Sequence, residues 1–224
     1  VARRFIEMVG PLGWGIEVAP KVDFNYEQPY AAGQISYVPL VELSRDFKIR
    51  GKHLAVADQT PFALDLGAAA IAAMELAKEE DRQVLGSLLQ NAQCTSEMGD
   101  WANPGGPFGA ISTAIAKLRA TGFDAPFALV MSPARYAQLA GLMQQGRREL
   151  EMVMAIADGG ISQWPEMNND NVLVVSNGPW NLDLVVGQDM VTAWIGNEGL
   201  DQMFRVLETI ALRLKRPGAV CVLR

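Results

Sequence analysis

Apolar and polar positions alternate most clearly at the C-terminal end, in FRVLETIALRLKRPGAVCVLR. Phe204, Val206, Ile210, Leu212 and Leu214 fall on one face of an extended chain, with Arg205, Thr209, Arg213 and Lys215 on the other. This period of two predicts a half-buried strand. Glu208 interrupts the pattern from the apolar side. Arg216-Pro217-Gly218 predicts a turn into a last short strand. Further upstream, TPFALDLGAAAIAAMELAKEEDRQVLGSLLQ carries a helical period. It predicts a long helix over about 62–90, with Thr60 as cap, Pro61 in the first turn and Asp65 near the positive end. Ile71, Met74, Val84, Leu85 and Leu88 are its predicted apolar stripe.

The remaining elements follow from the same signals. VELSRDFKIRG alternates in part and predicts a strand, and APFALVMS reads as a buried one. AISTAIAKLRATG predicts a second helix ending at Gly122. PARYAQLAGLMQQGRRELEMVMAIADGG predicts two helical stretches around Gly146. NVLVVSNGPWNLDLVVGQDM reads as two strands joined at Asn177-Gly178, with Pro179 lengthening the loop. From Gly15 to Pro39, prolines at 20, 29 and 39 exclude a long helix, while Phe24, Tyr26, Tyr30 and Tyr37 favour strands. A two-stranded arm of this kind cannot stabilise itself in water. It either folds back on its own domain or packs on another subunit. The order of elements predicts an α+β fold in which the two ends of the chain share a sheet.

Composition narrows the function more than it narrows the fold. The chain has 19 basic against 25 acidic residues, a formal net charge of −6. Without a basic block, this composition argues against nucleic acid or an anionic membrane as a partner, and no apolar run reaches bilayer-spanning length. Cys94 and Cys221 have no paired spacing and are read as reduced thiols of a cytosolic protein.

No motif supplies an active site. Gly10, Gly13 and Gly15 fall as G-x-x-G-x-G ahead of a strand-like segment, the wrong spacing and context for a phosphate loop. The single histidine, His53, stands in RGKHLAV without a nucleophile motif and reads as an ordinary loop or strand-end residue. KEEDR at 78–82 lacks the histidine of a di-iron helix and reads as a solvated or ion-paired face. Asp183 and Asp189 are isolated acids that offer only a weak cation signal. Neither a catalytic residue, a metal site nor a cofactor is predicted.

Taken in order, these segments resemble the type 1 encapsulin shell proteins, a family also called linocin-type bacteriocins. RRFIEMVGPLGWG is similar to the family's basic run into a Gly-Pro turn, and PLVEL followed by DF to its strand before the long helix. GDWANPGGPF, APFALVMSPARYAQL, NVLVVS, LDLVVGQDM and FRVLETIALRLKRPGAVCVL resemble later family segments, collinear over nearly all 224 residues. The resemblance implies the Hong Kong 97 phage major-capsid fold. Residues 1–16, 41–97 and 190–224 would form a discontinuous peripheral domain, 17–40 an extended loop arm, and 98–189 an apical domain. It also implies a helix-bearing segment of about thirty residues ahead of the basic run. GPLGWG would be the hinge into the arm, anchored by Trp14.

The function implied by this resemblance is self-assembly into an icosahedral cytoplasmic nanocompartment. Its cargo would be ferritin-like iron oxidases or dye-decolorising peroxidases, held by C-terminal targeting peptides and serving iron storage or oxidative-stress defence. The family's peptide groove maps to Arg3, Phe5 and Glu7 on one side and to Val191, Thr192 and Trp194 on the other. A core role for Phe5 and Trp194 is the competing reading. The five-fold pore loop maps to Gln144, Gln145, Gly146, Arg147 and Arg148, where the arginines would make a basic ring unless they pair with Glu149 or Glu151. Phe24, Tyr26, Tyr30 and Tyr37 would pack on a neighbouring subunit. A phage or prophage capsid protein is the alternative within the fold, and an enzyme ranks last.

Overall fold

The computed structural model describes residues 1–10, 18–23, 34–60, 64–168 and 170–224. In chain order the elements are β1 (Met8–Val9), β2 (Val18–Asp23), β3 (Gln34–Pro39), β4 (Val41–Ile49), α1 (Gly51–Gln59), α2 (Gly67–Asn91) and β5 (Cys94–Ser96). Then come α3 (Gly106–Ala120), β6 (Phe127–Met131), α4 (Pro133–Gly141), β7 (Met143–Gln144), β8 (Arg147–Arg148) and α5 (Glu149–Met154). The chain ends with β9 (Ile161–Gln163), β10 (Val172–Ser176), β11 (Leu182–Glu198), β12 (Asp201–Leu214) and β13 (Val220–Leu223).

Two sheets carry the fold. One has the order β1-β11-β12-β4 and the other β5-β13-β10-β6-β9. In the second sheet β6, β10 and β13 are buried at every position, and the alternation of side chains sorts them between two cores. Ala128, Val130, Leu173, Val175, Val220 and Val222 face the core that α2 shares with the first sheet. Phe127, Leu129, Met131, Val172, Val174 and Cys221 face the core that includes Ile111, Leu118, Leu139 and Val153 of α3, α4 and α5. A strand buried on both faces reads as a continuous apolar run, which is how APFALVMS and NVLVVS read.

Several expectations are corrected. Gly51, read as the end of a strand, opens α1, and residues 52–59, unassigned from sequence, complete it. His53 is therefore an exposed helical residue and not part of a loop or strand end. Thr60 does not cap the long helix; it closes α1, its hydroxyl donating to the Val56 carbonyl at 2.6 Å. The long helix begins at Gly67, whose N–H donates to the Asp65 carboxylate at 2.9 Å. Ile71 and Met74 are 60% and 61% exposed, and the stripe that packs runs through Ala72, Leu76, Glu80, Val84, Leu85 and Leu88. Counting back from Leu88 in helical steps reaches 72 and 76, so Ile71 stands about 100° off the buried face.

Asn177-Gly178 does not join a hairpin, because β10 and β11 belong to different sheets. β4, β12 and β11 do share a sheet, but β13 leaves them and pairs with β10 and β5. That placement sets Cys221 opposite Cys94 in parallel register. The two are joined as a disulfide with Cα atoms 4.3 Å apart, which overturns the reading of two reduced thiols. A separation of 127 residues conceals the pairing from sequence. In the arm, β2 and β3 pair antiparallel from Val18↔Pro39 to Asp23↔Gln34. Tyr37 is 64% exposed. Phe24, Tyr26, Tyr30 and Trp14 lie outside the described residues, as does most of the GPLGWG turn.

Candidate functional site

The N-terminal turn at Ala2–Arg4 is fastened by charge. The Ala2 N–H donates to Asp81 at 2.8 Å. Arg3 reaches three carboxylates: its Nε lies 2.9 and 2.8 Å from the Glu80 oxygens, Nη1 lies 2.8 Å from Asp189, and Nη2 lies 2.6 Å from Glu208. Phe5 and Ile6 then enter the core. The Phe5 carbonyl accepts from Asn177 Nδ2 at 2.6 Å, and that of Glu7 accepts from the Leu184 N–H at 2.9 Å. β1 continues as the parallel edge partner of β11.

Glu208, the acid on the apolar face of β12, is fully buried, and its Oε1 has no hydrogen-bond partner among the described residues. Burial, then the nearby Glu80 carboxylate, push its pKa up to about 7 against the pull of Arg3. Burial also raises Glu80, again opposed by Arg3. The hydrogen bond from Arg3 lowers Asp189, which is more exposed. One guanidinium therefore faces three carboxylates, two of which give up their charge readily.

β11 changes character along its length. Leu182 to Gly187 are buried. Register shifts then break its pairing with β12 between Val186 and Gln188, between Gln188 and Val191, and between Trp194 and Gly196. Bulges of this kind bend a strand and re-aim its side chains. Beyond the first two, Val191, Thr192 and Trp194 are exposed, as is Ile195 within the third, and Trp194 donates its Nε1–H to Gln202 at 2.8 Å. Of the six predicted groove residues, Glu7, Val191, Thr192 and Trp194 stand at the surface. Phe5 has the core role, whereas Trp194, at 59% exposed, does not. Arg3 is engaged by three acids, one of them Asp189, two residues before Val191.

Met143–Gln144 and Arg147–Arg148 form a two-residue hairpin. Gln145 and Gly146 sit at φ 50° and 79°, the left-handed pair that the tightest hairpin turn requires. Arg147 and Arg148 are exposed, without an ion pair among the described residues. Their proposed rival partner Glu149 is fully buried and accepts from the N–H groups of Gly105 and Phe108, at the start of α3.

The other singled-out acids are engaged as well. Asp183 pairs with Arg213 and Lys215, while Glu79 pairs with Arg45 and Arg82. KEEDR is thus an ion-paired segment, with Glu80 buried. Among the described residues no cluster of histidine, cysteine or acids is arranged to hold a metal, and no helix is long and apolar enough to cross a membrane. Sequence reasoning missed the convergence of Glu80, Asp189 and Glu208 on Arg3. The misplaced charge of Glu208 was the available signal.

Comparison with known proteins gives a consistent result. The family described as encapsulating protein for peroxidase matches residues 1–211. The chain is 33% identical over 248 aligned residues to the type 1 encapsulin shell protein EncA of Myxococcus xanthus, covering 100% of this chain and 86% of that one. It is 29% identical to a diheme-cytochrome-encapsulin shell fusion protein of Kuenenia stuttgartiensis, covering 100% and 68%. The virus-like particle of Pyrococcus furiosus superposes with a TM-score of 0.87 at 26% identity, covering 99% of this chain and 91% of that one. The capsid of Myoviridae phage XM1 shares the fold alone, with a TM-score of 0.65 at 13% identity over 99% and 90% of the two chains.

Proposed function

The chain belongs to the encapsulin shell-protein family, and from that premise we propose that it closes into an icosahedral cytoplasmic compartment around cargo enzymes. It is a self-assembling capsid-like protein and not an enzyme. The observation that carries this reading is the match to a shell protein at 33% identity over 100% of this chain and 86% of that one. The phage capsid shares the fold at 13%, so the encapsulin reading is preferred over a virion protein.

We assign β1, β4, β11, β12 and α2 to the peripheral domain, and the five-stranded sheet with α3, α4 and α5 to the apical one. Residues 17–40 are assigned to the arm, whose exposed Tyr37 packs on a neighbouring copy. The short strands at 94–96 and 220–223, expected in the peripheral domain, and residues 182–189, expected in the apical one, are assigned instead by the sheets in which they pair.

Cargo docks at the exposed stretch of β11. An apolar targeting peptide meets Val191, Thr192 and Trp194, and Glu7 offers it a charge. Arg3 and Phe5 hold the N-terminal segment beneath that surface without touching the peptide. Ferritin-like oxidases or peroxidases are the proposed cargo class, and iron storage or oxidative-stress defence the role. Two relatives carry a ferritin-like or a diheme-cytochrome portion fused to the shell, which suits an interior that receives redox proteins. Around a five-fold opening, Gln144 to Arg148 present a ring of unpaired arginines that favours anions.

The test is negative-stain electron microscopy of the purified full-length protein, with light scattering for mass. Uniform hollow spheres are expected. Monomers and small oligomers alone, across salt and pH, would overturn the assembly reading.

A further inference from the structure

The disulfide joins an accessible residue to a sealed one. Cys221 is fully buried in the core beneath α3. Cys94 is half-buried and lines an open cavity of about 720 Å³. Gln93, Thr121, Gly122, Phe123 and the Lys215–Gly218 turn form the rest of that cavity wall. Two of these residues are cations. Lys215 is shared with Asp183 at 2.7 Å, and Arg216 lies over the Phe123 ring with its guanidinium carbon 4.2 Å from the centroid. Thiol–disulfide exchange requires a thiolate to reach one sulfur of the bond, so access decides which sulfur is attacked. In this fold the approach leads to Cys94.

We propose that Cys94–Cys221 is a reversible redox staple, opened by a small anionic thiol that enters this cavity and attacks Cys94 Sγ. The incoming thiolate forms a bond to Cys94 Sγ as the Cys94–Cys221 bond breaks, and Cys221 leaves as a thiolate and takes up a proton. A second thiol then attacks the sulfur of the first and releases Cys94 as a thiol. Two thiols are oxidised to one disulfide, and the protein gains two thiols. What the staple holds is β5, a three-residue edge strand between α2 and α3. Once it opens, the backbone bonds from Arg224 N–H to the Ser96 carbonyl at 3.0 Å and from Met98 N–H to the Arg224 carbonyl at 3.2 Å remain. The α2–α3 connection loosens while the sheet persists. This inference stands independently of the shell assignment.

The test uses the full chain, treated with glutathione disulfide, alkylated and mapped by mass spectrometry. A linked Cys94–Cys221 peptide is expected. Reduced glutathione is then added and the reaction quenched with acid, and the trapped mixed disulfide is expected on Cys94. Gln93→Trp, which narrows the cavity at an exposed position, is expected to slow opening by about tenfold without changing the melting temperature of the oxidised chain. Alkylation of both cysteines after oxidation would remove the staple. Glutathione trapped on Cys221, or opening of the Gln93→Trp chain at the wild-type rate, would remove the cavity route. The mapping needs no variant, so it stands even where Gln93→Trp folds poorly.

Discussion

The middle strands of the five-stranded sheet and the ribbon of β11 and β12 are both rich in aliphatic residues, yet water treats them differently. β6 and β10 present neither face to solvent, and successive residues serve two separate cores. β11 begins in the same way, passes its first two register shifts, and then exposes Val191, Thr192, Trp194 and Ile195. Apolar side chains in the sheet work for the stability of one chain, whereas those on the outer ribbon stand in solvent, which is why we propose them as a docking surface. Where the ribbon leaves the core, the Arg3 cluster marks the border, with buried Glu80 and Glu208 on one side and the exposed Asp189 on the other.

The sharpest way to break this comparison is inside the sheet. Leu173→Ala removes a fully buried side chain and is expected to cost about 2–5 kcal/mol. Thermal unfolding reads this as a large fall in Tm, and a loss under about 1 kcal/mol would show that the two cores are loosely packed.

Arg3→Ala is expected to cost about 3 kcal/mol near pH 8 because it strands buried carboxylates, and less near pH 5, where they neutralise by taking protons. Denaturant melts at the two values measure the difference. Equal losses at both would mean that Arg3 acts by packing alone.

Glu208→Gln tests the titration itself. The pKa of Glu208 is raised from 4.5 to about 7 in the fold, so its contribution is whole below pH 4.5 and is lost as pH rises through about 7. Wild-type stability should fall by about 1–3 kcal/mol across that window. The Gln variant, neutral throughout, should show a flatter profile.

At the ribbon the order of effects reverses. Trp194→Ala should change stability by under about 0.5 kcal/mol, yet weaken a cargo-type C-terminal peptide by about tenfold or more in calorimetry. Unchanged peptide affinity would move the docking surface elsewhere. The smallest thermodynamic effect is expected for Arg147→Gln with Arg148→Gln, whose side chains make no ion pair among the described residues. Tm should stay fixed while anion entry into assembled particles slows, and unchanged entry would discard the basic ring.

The sequence was most legible where one physical rule governs a segment. Continuous apolar runs found β6 and β10, and period-two alternation found β12. Reading failed where two rules compete or where partners are distant. Ile71 and Met74 are apolar in a helix crowded with alanine, and only the tertiary face distinguishes them from Ala72 and Leu76. Asn177-Gly178 is good turn chemistry, but a local signal does not say whether the next strand returns to the same sheet. The docking of β13 beside β5 is a long-range event, and the cysteine pairing came with it. Within the candidate site, the exposed residues of β11 could be named by resemblance. The engagement of Arg3 depended on acids 77, 186 and 205 residues away. Glu208 alone advertised that a cation must lie nearby.

One contact at the far end of the ribbon fixes where its tip lies. The first residue of α1, Gly51, lies so close to the backbone of Leu200 at the β11–β12 turn that a Cβ would meet the Leu200 carbonyl oxygen, and its N–H donates to Asp201 at 2.9 Å. The outer stretch of β11 is a lever of about 35 Å, so displacing its tip by about an ångström rotates it by about two degrees. The bare α-carbon of Gly51 is thus a dimensional tolerance: it lets the tip of the ribbon seat on the first turn of α1, and any side chain there would swing the whole outer strand.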